Sequence, residues 1–296
     1  PGDEVLISQL EHHSNIVPWQ LLAAERGFTI KVIPVDERGA LDQDAYRDLI
    51  GERTRLVAVN HVSNALGTIN PVAEMAQVAH QHDALILVDG AQAAPHEPID
   101  VQAIGADFYA FSGHKVYGPT GAGVLYAREA LLEAMPPWQG GGEMIATVSF
   151  DTPTTFAAIP HKFEAGTPAI AEVIALGRAI EWVNSIGLEH ISAWEHRLLE
   201  HATESVAAVD GLRVLGTAPD KAGVLSFVVD GVHSQDIGLL IDQLGVAIRT
   251  GHHCAQPLLA QFGVDATCRA SFAAYNTPEE VDVLVESLQR VISMLR

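Results

Sequence analysis

Cysteine is nearly absent: of 296 residues only Cys254 and Cys268 carry a thiol, and no CxxC pair occurs. A disulfide framework is therefore excluded, and a reducing, cytoplasmic compartment is expected. No apolar run reaches the length of a membrane span. The opening "PGDEVLIS" has no initiator methionine and reads as a turn followed by a strand, not as a signal peptide, so the interior of a longer protein is expected. Basic residues are scarce as well: 17 face 37 acidic ones, for a formal charge of −20. That balance opposes non-specific binding to nucleic acid or anionic membrane, and partners of neither kind are expected. It leaves room for a local cationic pocket. With 48% hydrophobic and 18% charged residues, the chain has enough apolar material for a sizeable core.

Against this background, strand-like runs recur between helical patterns. "EVLIS", "FTIKVIPV", "RLVAVNHV", "ALILVD", "DFYAFS" and "GVLYA" read as strands, several of them apolar on both faces. Residues 71–82, with proline in the first turn, read as one of the intervening helices. Alternation of this kind predicts an α/β fold, a mostly parallel sheet sandwiched by helices, with ligands at the carboxyl ends of the strands. After Pro136 the texture changes to Gly-, Pro- and Thr-rich loops. Helices are then expected over 169–184 and 188–209. "GVLSFVVDG", "GVAIRTG" and "CRASFAAY" come next as strands, and a last helix covers 278–295. The division expected is a large domain over 1–183 and a smaller C-terminal α+β domain over 184–296.

Lysine is the rarest basic residue, present at positions 31, 115, 162 and 221 only. Lys115 lies in "FSGHKVYGPTGAG", at a strand end and ahead of glycines that let a ligand approach the backbone. A lysine there is either a solvated surface charge or a nucleophile that forms an imine with a carbonyl. Asp89 closes the strand "ALILVD". It is either a cap for the next helix or a carboxylate facing a protonated ring nitrogen, with Gln92 on the same side. A Schiff-base lysine paired with such an acid is the signature of pyridoxal phosphate sites.

Histidines come in pairs, His12–His13 and His252–His253, the second followed by Cys254. Zinc ligation is the rival reading. Neighbouring residues of an extended chain point to opposite faces, however, so neither pair is expected to deliver two ligands to one ion, and no metal is expected. His12 suits stacking on an aromatic cofactor. Cys254, between Arg249 with two histidines and a loop-to-helix proline, is either a buried inert cysteine or a reactive one in an electropositive setting, whereas Cys268 reads as buried and inert. Arg269 is either a surface ion-pair partner or a carboxylate clamp.

Eight stretches, in order along essentially the whole chain, resemble the cysteine desulfurases of the class V aminotransferase group, in the branch of SufS-type cysteine desulfurases and selenocysteine lyases. They are "LEHHSNIVPW", "HVSNALGT", "VDGAQAAPH", "FSGHKVYGPTGAG", "GGGEMI", "FEAGTP", "RTGHHCAQP" and "CRASFAAYNT". The resemblance implies fold type I of the pyridoxal-phosphate enzymes. Lys115 would hold the cofactor covalently and His12 would stack on its ring. Asp89 would meet the ring nitrogen, and Asn64 and Gln92 the ring substituents. Ser112 and His114 would bind the phosphate, with Thr167 reaching the phosphate of the other subunit of a homodimer. Arg269, with Arg249 beside it, would hold the substrate carboxylate. Cys254 would take sulfur from L-cysteine, or selenium from L-selenocysteine, and pass it to an acceptor protein of iron–sulfur assembly. Members of this family begin upstream of Pro1 with a further phosphate-binding helix start.

Overall fold

The computed structural model describes residues 1–296. Six strands form the principal sheet: β1 (Glu4–Ser8), β2 (Thr29–Ile33), β3 (Thr54–Asn60), β4 (Leu85–Asp89), β5 (Phe108–Ser112) and β6 (Gly123–Ala127). Their order is β2-β1-β3-β4-β5-β6. All neighbours are parallel except β5 and β6, which pair antiparallel. The mixed sheet is flanked by helices, as the alternating pattern predicts.

Side-chain alternation explains the two-sided burial of β1. Leu6 enters a large apolar core with Ile33, Val57, Val59, Ile86 and Val88, while Val5 and Ile7 pack on the opposite face with Ile16 and Ala58. The crossovers supply α1 (Val17–Arg26), α2 (Gln43–Leu49), α3 (Val72–Gln81) and the single turn α4 (Val101–Ile104). Pro71 stands just before α3, where a missing N–H costs nothing. Asp42 and Asp100 cap α2 and α4 by accepting two backbone N–H groups each.

Beyond α5 (Glu129–Ala134), the stretch read as loops contains a small hairpin, β7 (Ile145–Thr147) with β8 (Thr155–Phe156). Helices α6 (Ile170–Ile186) and α7 (Leu188–Val206) follow. Helix α7 stops three residues earlier than its apolar pattern suggests: Ala208 and Val209 donate to carbonyls three residues back, at Ser205 and Val206, in a tighter turn that leads to left-handed Gly211.

A second sheet, β11-β12-β10-β9, is antiparallel throughout and comprises β9 (Leu212–Leu215), β10 (Val224–Val229), β11 (Arg249–Gly251) and β12 (Thr267–Ser271). It packs its own core with α7, α8 (Ser234–Asp242) and α10 (Pro278–Leu295). Only the last three residues of "GVAIRTG" are strand. Val246 and Ile248 instead lean on this core without a ladder, since β12 offers partners only to Arg249, Thr250 and Gly251. Helix α9 (Gln256–Gln261) comes after β11, with a proline in its first turn.

Candidate functional site

The carboxyl ends of β1, β3, β4 and β5 are Ser8, Asn60, Asp89 and Ser112, and the segments beyond them build one cavity of about 580 Å³. That size and position suit a cofactor-sized ligand on a parallel sheet. Its wall includes His12, Asn64, Asp89, Gln92, Ser112, His114, Lys115, Arg249 and Arg269. Nine of the eleven residues singled out in the sequence therefore meet in one place. Thr167 lies outside it, exposed in the loop before α6. Cys254 stands outside the wall as well, half-buried on the loop between β11 and α9.

Asp89 and Lys115 are held by adjacent strands. Asp89 is the last residue of β4 and pairs in register with Ala110 of β5. Lys115 ends the single 3-10 turn, Gly113–Lys115, that comes directly after β5. Asp89 caps no helix: its Oδ1 accepts the N–H of Ala91 at 2.9 Å within a run of turns. Gly90 cannot be replaced locally, because an added Cβ would stand 2.0 Å from the Tyr109 ring. Tyr109 in turn contacts His61 Nδ1 through its hydroxyl at 3.1 Å.

Burial lowers the Lys115 pKa. Asp89 opposes the shift, while Arg269 and Arg249 reinforce it. A lysine so placed is neutral in a larger fraction of molecules than a free one, and so more available as nucleophile and proton acceptor. Burial, then the charge of Lys115, also lowers His12, which favours its neutral form. The backbone N–H of Ser14 donates to His12 Nδ1 at 3.1 Å.

Arg269 is partly buried, and its Nη1 donates to the Asn64 carbonyl at 2.7 Å. Its Nε is buried without a partner. Burial, with Arg249 nearby, brings its pKa down to about 10, which still leaves it charged near neutrality. Asp89 is the only acid in the wall, against Lys115, Arg249 and Arg269. In a chain of net charge −20 this is a cationic pocket, and its unsatisfied guanidinium nitrogen calls for an anion. A pyridine ring bearing an aldehyde and a phosphate fits this donor set: an amine for the aldehyde, a carboxylate for the ring nitrogen, a neutral imidazole for the ring face and cations for the anionic groups.

Several wall residues were not singled out from the sequence. Asn60, Asn15 and Trp19 line the cavity, and behind them lies Glu11, fully buried. Ser8 donates to its carboxyl through Oγ; Asn15 Nδ2 donates at 2.7 Å and the Asn60 N–H at 3.0 Å. Burial pushes Glu11 up to about 8. The available signal was an acid three residues past an apolar strand, a position where a buried carboxyl needs donors. As read from the sequence, Cys268 is buried, and burial pushes its thiol up to about 12.

The aminotransferase class-V family profile matches residues 1–284. A cysteine desulfurase of Escherichia coli O127:H6 is 54% identical over 294 residues, covering 99% of this chain and 72% of that protein. Among solved structures, the E. coli cysteine desulfurase CsdA, in its S-sulfonic acid form, superposes with a TM-score of 0.96 at 43% identity, over 100% of this chain and 73% of that one. A variant of C-DES with glycine covalently linked to its PLP cofactor superposes at 0.85 and 27% identity, over 97% of this chain and 74% of that one.

Proposed function

This chain belongs to the aminotransferase class-V family as a pyridoxal-phosphate-dependent enzyme, and from that premise we propose that it is a cysteine desulfurase that converts L-cysteine to L-alanine. The observation that carries the reading is the cationic cavity with Lys115 and Asp89 on adjacent strand ends and Cys254 beside it. Bound there, pyridoxal phosphate supplies an aldehyde that condenses with amines and a ring that takes up electrons.

The protein's own groups divide the remaining work. Lys115 would supply the amine that holds the cofactor, and as a free amine it would move the substrate's α-proton. Asp89 would hold a proton on the ring nitrogen, and His12 would offer a neutral face to the ring. Asn64 and Gln92 would meet the ring substituents, and Ser112 and His114 the phosphate. Arg269 and Arg249 bind the substrate carboxylate. The Cys254 thiolate takes the sulfur: an S–S bond forms as the substrate C–S bond breaks, and the carbon that loses sulfur gains a proton.

The finer parts of the reading are a sulfur-acceptor protein of iron–sulfur assembly, a cytoplasmic location, and L-selenocysteine as the competing substrate. A homodimer is supported by the apolar side chains exposed between residues 138 and 182, among them Trp138, Phe150, Phe156 and Ile174. Thr167 lies exposed in the same segment, and in a homodimer it would be the residue that reaches the partner's phosphate. The division into 1–183 and 184–296 belongs to this reading, since α7 and the residues after it build the second core.

Borohydride reduction after incubation with pyridoxal phosphate, followed by peptide mapping, tests the site. Label on Lys115 is expected; preferential label on Lys31, Lys162 or Lys221 refutes it. Unchanged turnover of cysteine in Cys254→Ala would refute the sulfur step, and a variant still active on selenocysteine alone would favour the lyase.

A further inference from the structure

The paired histidines do split as the sequence argument requires, yet one member of each pair converges with the thiol. His13, His252 and Cys254 each offer a ligand atom, and the three atoms lie within 4.8 Å of one another. They come from two loops 239 positions apart in the chain, and those loops are tied together by the backbone. The His13 N–H donates to the Cys254 carbonyl at 2.7 Å, and the Gln256 N–H donates to His13 Nε2 at 3.2 Å. The Asn64 side chain fixes the same turn by donating to the His253 carbonyl at 2.6 Å.

The turn is also strained. His253 and Cys254 have φ of 51° and 56°, two successive non-glycine residues in the left-handed region. Backbone of this kind persists only where surrounding structure enforces it. The two imidazoles lie with ring centroids 5.5 Å apart.

We propose that His13, His252 and Cys254 form a three-ligand site for a thiophilic divalent cation, Zn²⁺ by preference, that caps the Cys254 thiol. A tetrahedral ion with Zn–S of about 2.3 Å and Zn–N of about 2.0 Å sets its ligands roughly 3.3–3.6 Å apart, so closing the cluster needs side-chain movements of about 1 Å. The thiol releases its proton to solvent as the metal–sulfur bond forms, and water fills the fourth position. Two ring nitrogens now accept backbone N–H groups, His13 from Gln256 and His252 from Cys254 at 3.0 Å. A metal competes for those lone pairs. Hard cations such as Mg²⁺, which favour oxygen ligands, do not compensate for the loss, whereas a cation suited to sulfur and imidazole does.

The site rests on the cluster alone. Only its consequence, a reversible block of turnover, rests on Cys254 being the sulfur carrier. The full chain, without added cofactor, is titrated with Zn²⁺ against a chromophoric chelator and with Co²⁺ for its spectrum. One ion per chain, a thiolate-to-cobalt charge-transfer band and tetrahedral visible bands are expected. Zn²⁺ protects Cys254 from iodoacetamide, and EDTA removes the protection. Cys254→Ser, His13→Gln and His252→Gln each weaken binding by about tenfold or more.

Protection in the unsubstituted chain decides the matter should a histidine variant fail to fold. Undiminished binding in Cys254→Ser, or alkylation of Cys254 unaffected by stoichiometric Zn²⁺, overturns the proposal. If the cobalt–thiolate band forms and metal does not slow alanine release, the site stands and the sulfur-carrier assignment falls.

Discussion

Arg249 and Arg269 are paired directly across β11 and β12, like charge opposite like. Such a pair destabilises an isolated ladder, and Arg269 is partly buried with one guanidinium nitrogen unsatisfied. On the proposed function, a substrate carboxylate would relieve both penalties. Arg269→Ala should raise KM for L-cysteine by roughly 10- to 100-fold, the worth of a charge-assisted hydrogen bond, with a smaller change in kcat. Arg269→Lys should restore little, because an ammonium cannot reproduce the planar fork. Arg249→Gln should weaken cysteine binding while leaving the melting temperature of the ligand-free chain unchanged or higher. Steady-state kinetics and thermal melts check all three.

Stability should peak near pH 6.5. Burial brings His61 and His253 down to about 4 from an ordinary 6.5. Between those values the unfolded chain binds protons that the folded chain refuses, so stability falls as pH drops. Glu11 works in the opposite sense, raised to about 8 from 4.5. Across that range the folded chain keeps a proton that the unfolded chain has lost, so stability falls as pH rises. Glu195, also raised by burial, has the same sign. Melting temperatures should pass through a maximum, and Glu11→Gln should flatten the alkaline side. A monotonic profile would contradict the assignment.

Gly90→Ala should be damaging out of proportion to one methyl group. Its Cβ would enter the Tyr109 ring, and Tyr109 is buried with its hydroxyl against His61. A loss of about 1–3 kcal/mol is expected for overpacking. Displacement of the Asp89 strand end should add weaker cofactor uptake, measurable by absorbance titration.

The two thiols should differ sharply in reactivity. Cys254 is half-buried on a loop, whereas Cys268 is fully buried, its pKa raised to about 12, with Sγ against the Ser234 carbonyl. Iodoacetamide on the folded chain should label Cys254 alone, with Cys268 labelled only after denaturation, as read by peptide mass spectrometry.

Legibility in the sequence tracked the range of the interaction. β1, β6 and α10 keep the bounds their patterns suggest, because local signals set them. For α10 these include a capping box between Thr277 and Glu280. "GVAIRTG" reads longer than its strand because its partner's length is set by distant residues. Strand ends made the cavity wall visible in outline, since Asp89 and Lys115 both close apolar runs. Glu11 and Asn60 were hidden because their contact exists only where β1 and β3, 45 or more residues apart, lie side by side. The convergence of His13 with His252 and Cys254 was hidden for the same reason.

The parallel pairing of β4 with β5 has a last consequence. Asp89 lies within the ladder itself, and Lys115 stands three residues past the end of β5. Their separation is therefore gauged by neighbouring strands, the stiffest ruler available in a fold, and hardly at all by the long connections elsewhere. Surface segments can lengthen, shorten or drift while the carboxylate and the amine keep their spacing.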